Sequence, residues 1–346
     1  MLQEKSVIIE LTKRCNLHCR YCDQKHISSD MSINVLTQIL EEEIRSREIN
    51  THLSFDLYGG EPFLRFDLIK EVVNKVRESG YNDSIFIITN GTLVHGEIQQ
   101  YLLENRDIIK CCLSLDGTKK THDYNRFSSY DRIDIDYFAK YFSDTPISLT
   151  ITKQTISSLA EDIIFCHEKG FEVNCGFDSY EDWKSINPDE YEKQLAILVE
   201  YYRLNPKINR SNIVPTLVPP TPDNIGKINW CSGGRNTIAY AVDGSHHLCQ
   251  LFLDSDSPVI FSETKDVIEH NMQCYMCPVV HICPTCFAIN YINTGDYMKK
   301  DRSLCNFRKI SYHAASYLNY LLWTQGEFEM TNELLSLILN IQENFR

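Results

Sequence analysis

VIIELTKRCNLHCRYC, residues 7–22, sets a short apolar run directly before three closely spaced cysteines. Val7–Leu11 is β-branched and apolar, and the charged pair Lys13-Arg14 follows it, which predicts a buried strand ending in a loop. Five similar runs come later: Leu53–Leu57, Ser84–Thr89, Lys110–Leu115, Ile147–Ile151 and Val173–Phe177. Between them Ser32–Arg47, Leu64–Ser79, Gly96–Asn105, Ile133–Phe142 and Ser157–Lys169 carry apolar residues at helical spacing. A sixth helix is expected from Asn187-Pro188, where a capping side chain precedes a proline suited to the first helical turn. This alternation predicts an α/β fold with a parallel sheet, and about six units predict a partial (βα)6 TIM-like barrel. Ligands of such sheets gather at the carboxyl ends of the strands. The loop Cys15–Cys22 follows the first of them.

After the sixth helix the chain changes character. Pro206, Pro215, Pro219, Pro220 and Pro222 predict an extended connector over 205–230. Seven cysteines then fall between 231 and 305, and helical patterning resumes from about residue 302. Alternating residues in Ile238–Val242 and His247–Leu251 flank Asp243-Gly244, a turn pair that predicts a β-hairpin. The expected organisation is a barrel over 1–204, a proline-rich linker over 205–230 and a small cysteine-rich domain over 231–346 that ends in helices.

Composition narrows the function. With 346 residues, 43% hydrophobic and 23% charged, the chain reads as an ordinary globular protein. A formal charge of −13 argues against a nucleic-acid partner, because tracking phosphates needs a basic excess. No apolar run approaches the roughly 18 residues of a membrane span. No basic segment followed by a long apolar run opens the chain, so a cytoplasmic location is expected. Fourteen cysteines in that compartment read first as metal or cofactor ligands rather than disulfides. Cys111, Cys112, Cys166 and Cys175 lie in or beside apolar runs without ligand spacing, and are expected to be core thiols.

Cys15, Cys19 and Cys22 have the spacing C-x3-C-x2-C. Three thiolates on one tight loop suit three irons of a [4Fe–4S] cluster, leaving the fourth iron open to chelate a ligand. Zinc is the alternative, although a structural zinc usually takes four ligands. The loop resembles that of the radical S-adenosylmethionine (SAM) superfamily, which follows the first barrel strand. The resemblance implies that the open iron binds the amino and carboxylate groups of SAM, and that Tyr21 packs near the adenine. Gly59-Gly60-Glu61-Pro62 resembles the family's GGEP element, with glycines that let backbone approach a ligand and Glu61 facing the methionyl ammonium. Thr89-Asn90-Gly91 ends the third strand. Ser114-Leu115-Asp116-Gly117, followed by His122-Asp123 and Asn125-Arg126, resembles the SLDG…HDxxR stretch of members with extra clusters. By that likeness Asn90, Ser114, Asp116 and Arg126 join the cofactor site, Ser114 and Arg126 near the carboxylate and ribose of SAM.

The later cysteines form a second constellation. Cys231 and Cys249 bracket the hairpin, and Cys274, Cys277, Cys283 and Cys286 are spaced C-x2-C-x5-C-x2-C before Cys305. A zinc ribbon would use two CxxC pairs, but seven cysteines exceed the needs of one zinc. The pattern resembles a SPASM domain, which carries two auxiliary [4Fe–4S] clusters. The resemblance implies Cys274, Cys277, Cys283 and Cys305 for the outer cluster, and Cys231, Cys249 and Cys286 for the inner one. Two residues rather than the commoner three precede Cys286, and no further cysteine closely follows Cys231. An inner cluster with three cysteines and an open iron is therefore expected, with His246, His247 or Asp243 as possible fourth ligands.

Three [4Fe–4S] clusters and SAM are thus the implied cofactors. Family chemistry is reductive cleavage of SAM to a 5′-deoxyadenosyl radical, which takes hydrogen from an unactivated carbon. SPASM-bearing members mostly modify peptides or proteins. Sulfatase maturases of this kind place a carboxylate after the hairpin cysteine as base, whereas Gln250 follows Cys249 here, and an amide takes no proton at neutral pH. The expectation is a peptide maturase that crosslinks side chains of a ribosomal precursor peptide by a carbon–carbon or thioether bond. A sulfatase-maturase-like protein oxidase and a small-molecule dehydrogenase are the alternatives. The first strand starts near residue 6 with no leader-binding module before it, so a separate leader-binding protein or the barrel surface would recognise the peptide. Flavodoxin or ferredoxin would donate electrons. No residue stands out as catalytic base, with Asp178 and Asp254 the only candidates.

Overall fold

The computed structural model describes residues 3–22, 24–221, 229–230, 233, 236–254, 274, 276–297 and 299–345. Its first six strands are β1 (Gln3–Thr12), β2 (Thr51–Gly59), β3 (Ser84–Thr89), β4 (Ile109–Leu113), β5 (Ile147–Ile151) and β6 (Val173–Phe177). Helices α1 (Ile33–Ser46), α2 (Phe66–Ser79), α3 (Glu97–Glu104), α4 (Lys119–Asn125), α5 (Ile135–Tyr141), α6 (Leu159–Glu168) and α7 (Asp189–Leu204) intervene and follow. The α/β class with a parallel sheet is the observed one.

The chain divides into two compact units that interleave in sequence: 1–115 with 122–148 and 232–262, and 116–121 with 149–231 and 263–346. In the first unit the strand order is β4-β3-β2-β1, with every neighbour parallel. An isolated parallel bridge, Ser114 to Ser148, continues that order toward β5. Inward residues such as Val7, Ile9, Leu11, Leu53, Phe55 and Leu57 are buried almost completely. Burying such side chains supplies about 1.5–3 kcal/mol each, which holds the parallel strands together. Ser32 caps α1 by accepting the Val35 N–H at 3.2 Å.

The expected hairpin forms but is shorter and has a second role. Strands β7 (Thr237–Tyr240) and β8 (His246–His247) pair antiparallel around Asp243-Gly244, where Gly244 has φ +87°. β7 then pairs in parallel with β1 from Ser6↔Thr237 to Ile9↔Tyr240, so the hairpin extends the sheet of the first unit. The Tyr240 hydroxyl locks this edge by donating to Glu43 at 2.7 Å.

In the second unit β5 pairs with β6. Residues 205–221 contain no helix or strand, yet Ser211, Ile213, Val214 and Leu217 are buried. Asn212 imitates a strand partner: its Oδ1 accepts the Cys175 N–H at 2.7 Å and its Nδ2 donates to the Cys175 carbonyl at 2.8 Å. Helices Phe287–Thr294, Cys305–Thr324 and Asn332–Asn344 complete the unit. The Tyr191 hydroxyl on α7 meets Ser311 at 2.7 Å inside it. Cys111, Cys112, Cys166 and Cys175 are buried, as expected for core thiols.

Candidate active site

Cys15, Cys19 and Cys22 lie on the loop after β1 as reduced cysteines. The Leu17 N–H donates to Cys15 Sγ at 3.4 Å, and the Cys22 N–H to the Cys19 carbonyl at 3.1 Å, which folds the loop back on itself. His26 Nε2 stands 3.4 Å from Cys22 Sγ. Burial raises the Cys15 thiol above its ordinary value, and the negative charges of Glu61 and Cys22 add to the rise. A thiolate there calls for a cation, which an iron centre supplies.

The loop is held by the end of β2. The Gly60 N–H donates to the Thr12 carbonyl at 2.9 Å, and the Glu61 N–H to the Arg14 carbonyl at 2.9 Å. A Cβ on Gly59 would stand 2.2 Å from the Thr12 oxygen, and one on Gly60 2.2 Å from the Arg14 oxygen. The two glycines therefore make room for the cysteine loop's own backbone.

Glu61 is fully buried. Its carboxylate accepts from the Thr89 hydroxyl at 2.7 Å, the Asn90 N–H at 2.8 Å and the Phe63 N–H at 3.2 Å. Burial pushes this carboxyl up to about 7, and the three donors pull the other way. The folded value lies above the ordinary 4.5, so the proton is favoured by folding. The stabilisation is full below about pH 4.5 and is lost as pH rises through about 7. It amounts to roughly 3 kcal/mol. Urea unfolding at several pH values is expected to show wild-type stability falling across this window relative to Glu61→Gln. Parallel curves would contradict it.

Asn90 connects this anchor to the cysteines. Its Nδ2 donates to Asn16 Oδ1 at 2.8 Å and lies 3.9 Å from Cys15 Sγ, while its Oδ1 accepts from Thr92 Oγ1 at 2.7 Å. Asn16 Nδ2 closes the ring by donating to Thr92 Oγ1 at 2.8 Å. Asn16 and Thr92 were not singled out from sequence, although Asn16 lies between two of the cysteines.

The other side of the loop meets the end of α4. The Arg20 N–H donates to the Asn125 carbonyl at 2.9 Å, and Arg20 Nε to the Tyr124 carbonyl at 2.7 Å. The guanidinium of Arg126 lies 5.3 Å from the Tyr21 ring centroid. Tyr21 and Arg126 are thus brought together. His122 is buried against Ser129 at 3.0 Å, and Asp123 accepts the Tyr130 N–H at 2.9 Å, holding the turn in which Phe127 and Ser128 have φ 52° and 54°. The Ser114 N–H donates to the Thr89 carbonyl at 2.8 Å at the end of β4. In the second unit Asp116 is buried and accepts the Thr150 N–H at 3.0 Å.

The second unit also gathers cysteines. Cys274, Cys277, Cys283 and Cys305 line one cavity of about 350 Å³ with Lys300, Arg302, Arg308 and Lys309. Burial raises the Cys277 thiol, and the neighbouring charges of Cys283, Cys305 and Cys274 raise it further. That mutual effect is what four converging thiols produce. Cys286 lines a smaller pocket of about 70 Å³ with Asp178, Thr285 and Asn290. Cys249, in the first unit, is buried and accepts the Leu251 N–H at 3.4 Å. Cys231 lies outside the described residues. Of the two suggested bases, Asp178 accepts the Tyr180 N–H at 3.0 Å, and Asp254 forms an ion pair with Lys13.

Residues 9–145 match the family model described as the Radical SAM superfamily. That stretch is similar to a radical SAM domain. A cysteine-type anaerobic sulfatase-maturating enzyme of Clostridium perfringens is 28% identical over 270 residues, spanning 69% of this chain and 72% of that protein. The structure of native anSMEcpe with bound AdoMet and Cp18Cys peptide superposes with a TM-score of 0.70 at 20% identity, covering 98% of this chain and all of that one. Streptococcus suis SuiB bound to precursor peptide SuiA gives 0.62 at 17% identity, over 88% of this chain and 76% of that one. The two structural likenesses show that the chain shares the α/β fold of these proteins. Radical SAM domains use a [4Fe–4S] cluster and SAM, and sulfatase maturases and SPASM enzymes carry auxiliary clusters. The cysteines of the β1 loop and of the four-cysteine cavity have the donor chemistry such clusters require. Among the described residues no helix is long and apolar enough to cross a membrane.

Proposed function

We propose that this radical SAM enzyme of the sulfatase-maturase and SPASM type oxidises a peptide, crosslinking two of its side chains with net loss of two hydrogens. The convergence of Cys274, Cys277, Cys283 and Cys305 on one cavity carries this reading, because a second redox centre gives the second electron somewhere to go. When bound, SAM would supply the radical chemistry that removes one hydrogen atom from the peptide, and the second hydrogen would leave as an electron to the auxiliary centre and a proton to solvent. The chain's residues position the parts. Cys15, Cys19 and Cys22 hold the SAM-binding cluster. Glu61, through Thr89 and Asn90, fixes the loop's inner side, and Tyr21 and Arg126 flank its outer side with Ser114 at the end of β4. Flavodoxin or ferredoxin supplies electrons, and a separate leader-binding protein is one route to peptide recognition.

The likeness to a sulfatase maturase favours a second reading, oxidation of a single Ser or Cys in a protein. Gln250, at the position after Cys249, lacks the carboxylate that reaction would use as base. Tandem mass spectrometry of a co-expressed precursor peptide separates the two. Loss of two hydrogens, with no backbone cleavage products between two linked residues, is the expected result. An aldehyde on a single residue would assign the second reading instead.

A further inference from the structure

We infer that Lys300, with Arg302 beside it, is a positioning residue that raises the reduction potential of the centre held by Cys274, Cys277, Cys283 and Cys305. The inference rests on the assignment of those four cysteines to an auxiliary [4Fe–4S] cluster. Lys300 Nζ donates to Cys283 Sγ at 3.2 Å. Arg302 lines the same cavity, and its Nε is buried without a hydrogen-bond partner among the described residues. A buried donor left unpaired is costly. An anionic group occupying the cavity removes that cost. At about 350 Å³ the cavity is far larger than the roughly 30 Å³ share of a water molecule.

The segment carrying these cations is fixed. Asn290, buried on helix Phe287–Thr294, donates from Nδ2 to the Tyr297 carbonyl at 3.1 Å, and its Oδ1 accepts the Asp301 N–H at 2.8 Å. The Asp301 carboxylate receives the Ser303 N–H at 3.3 Å, and the Cys305 N–H reaches the Arg302 carbonyl at 3.0 Å. One buried amide thus holds both sides of the Lys300 segment. The local charge is also reversed. In a chain of net charge −13, the described residues lining the cavity set Lys300, Arg302, Arg308 and Lys309 against the one acid Asp301.

The physical consequence has a definite sign. A four-thiolate cluster is anionic, and gaining one electron makes it more so. A fixed cation and a hydrogen bond to a ligating sulfur stabilise the reduced form more than the oxidised one. The couple takes up one electron and no proton. Lys300 thereby makes this centre a better acceptor of the electron released when the peptide is oxidised. An ordinary surface lysine resting on a thiol would leave the potential unchanged.

The test is an EPR-monitored potentiometric titration of the anaerobically reconstituted full chain, with dithionite as reductant. The signal of this centre is the one missing from a Cys274→Ala/Cys277→Ala variant. Lys300→Met is expected to shift its oxidised-to-reduced ratio at fixed potential about tenfold toward oxidised, which is about 59 mV for one electron. Lys300→Arg is expected to retain most of the wild-type value. Lys299→Met removes the same charge from an exposed neighbouring residue that lines neither cavity, and is expected to leave the value in place. An unchanged midpoint in Lys300→Met with wild-type iron content overturns the inference, as does an equal shift in Lys299→Met. Wild-type iron too low for this cluster overturns the cysteine assignment itself, and the inference with it.

Discussion

Replacing Cys15, Cys19 and Cys22 together by alanine is expected to reduce SAM cleavage to background while sparing the second unit. Reconstituted wild type should hold about twelve irons per chain and the triple variant about eight, if each cluster carries four. On the proposed assignment the three thiolates would hold one cluster, so removing them together would remove its open iron and make the effect all-or-none. The four-cysteine cavity lies wholly on residues 274–345, so its thiols remain available. Iron analysis and quantitation of 5′-deoxyadenosine check both halves. Loss of all iron, or cleavage persisting in the variant, would contradict the division of cysteines between centres.

Gly60→Ala is expected to be nearly as severe without touching a ligand. The new Cβ would stand 2.2 Å from the Arg14 oxygen, 2.5 Å from the Arg14 carbon and 3.0 Å from the Cys15 nitrogen. All three are backbone atoms, so no side-chain rotation relieves the clash. The cysteine loop has to move, which breaks the bonds from Gly60 to Thr12 and from Glu61 to Arg14. A fall of at least about a hundredfold in SAM cleavage, some 2.7 kcal/mol, is the expected outcome. Gly80→Ala is the control. Gly80 also has positive φ, +70°, but a Cβ there meets nothing within 4 Å. That variant should lose about 1 kcal/mol of stability and keep its SAM cleavage. Equal activity loss in both would mean that the close approach at Gly60 is not what matters.

The parts of this molecule legible in its sequence are those set by local pattern. β3, β5 and β6 begin and end where the apolar runs do, and Ser32 caps α1 as the start of the periodic segment suggested. Cys15, Cys19 and Cys22 announce themselves by spacing because all three lie on one loop. What was not legible is long-range. Nothing in Thr237–Tyr240 shows that it pairs with Ser6–Ile9 more than two hundred residues away. The glycines at 59 and 60 read as room for a ligand, and the structure gives that room to Thr12 and Arg14. The Asn90–Asn16–Thr92 ring needs two loops brought together. Lys300 carries no motif at all. Its significance lies in a contact with Cys283, seventeen residues earlier.

The proposed assignment of Cys15, Cys19 and Cys22 to a cluster with one open iron is tested most directly by anaerobic reconstitution, reduction with dithionite and addition of SAM. Accumulation of 5′-deoxyadenosine, dependent on both reductant and iron, is the predicted result. Fully iron-loaded protein that yields none, or a loop that takes up zinc in place of iron, would contradict it.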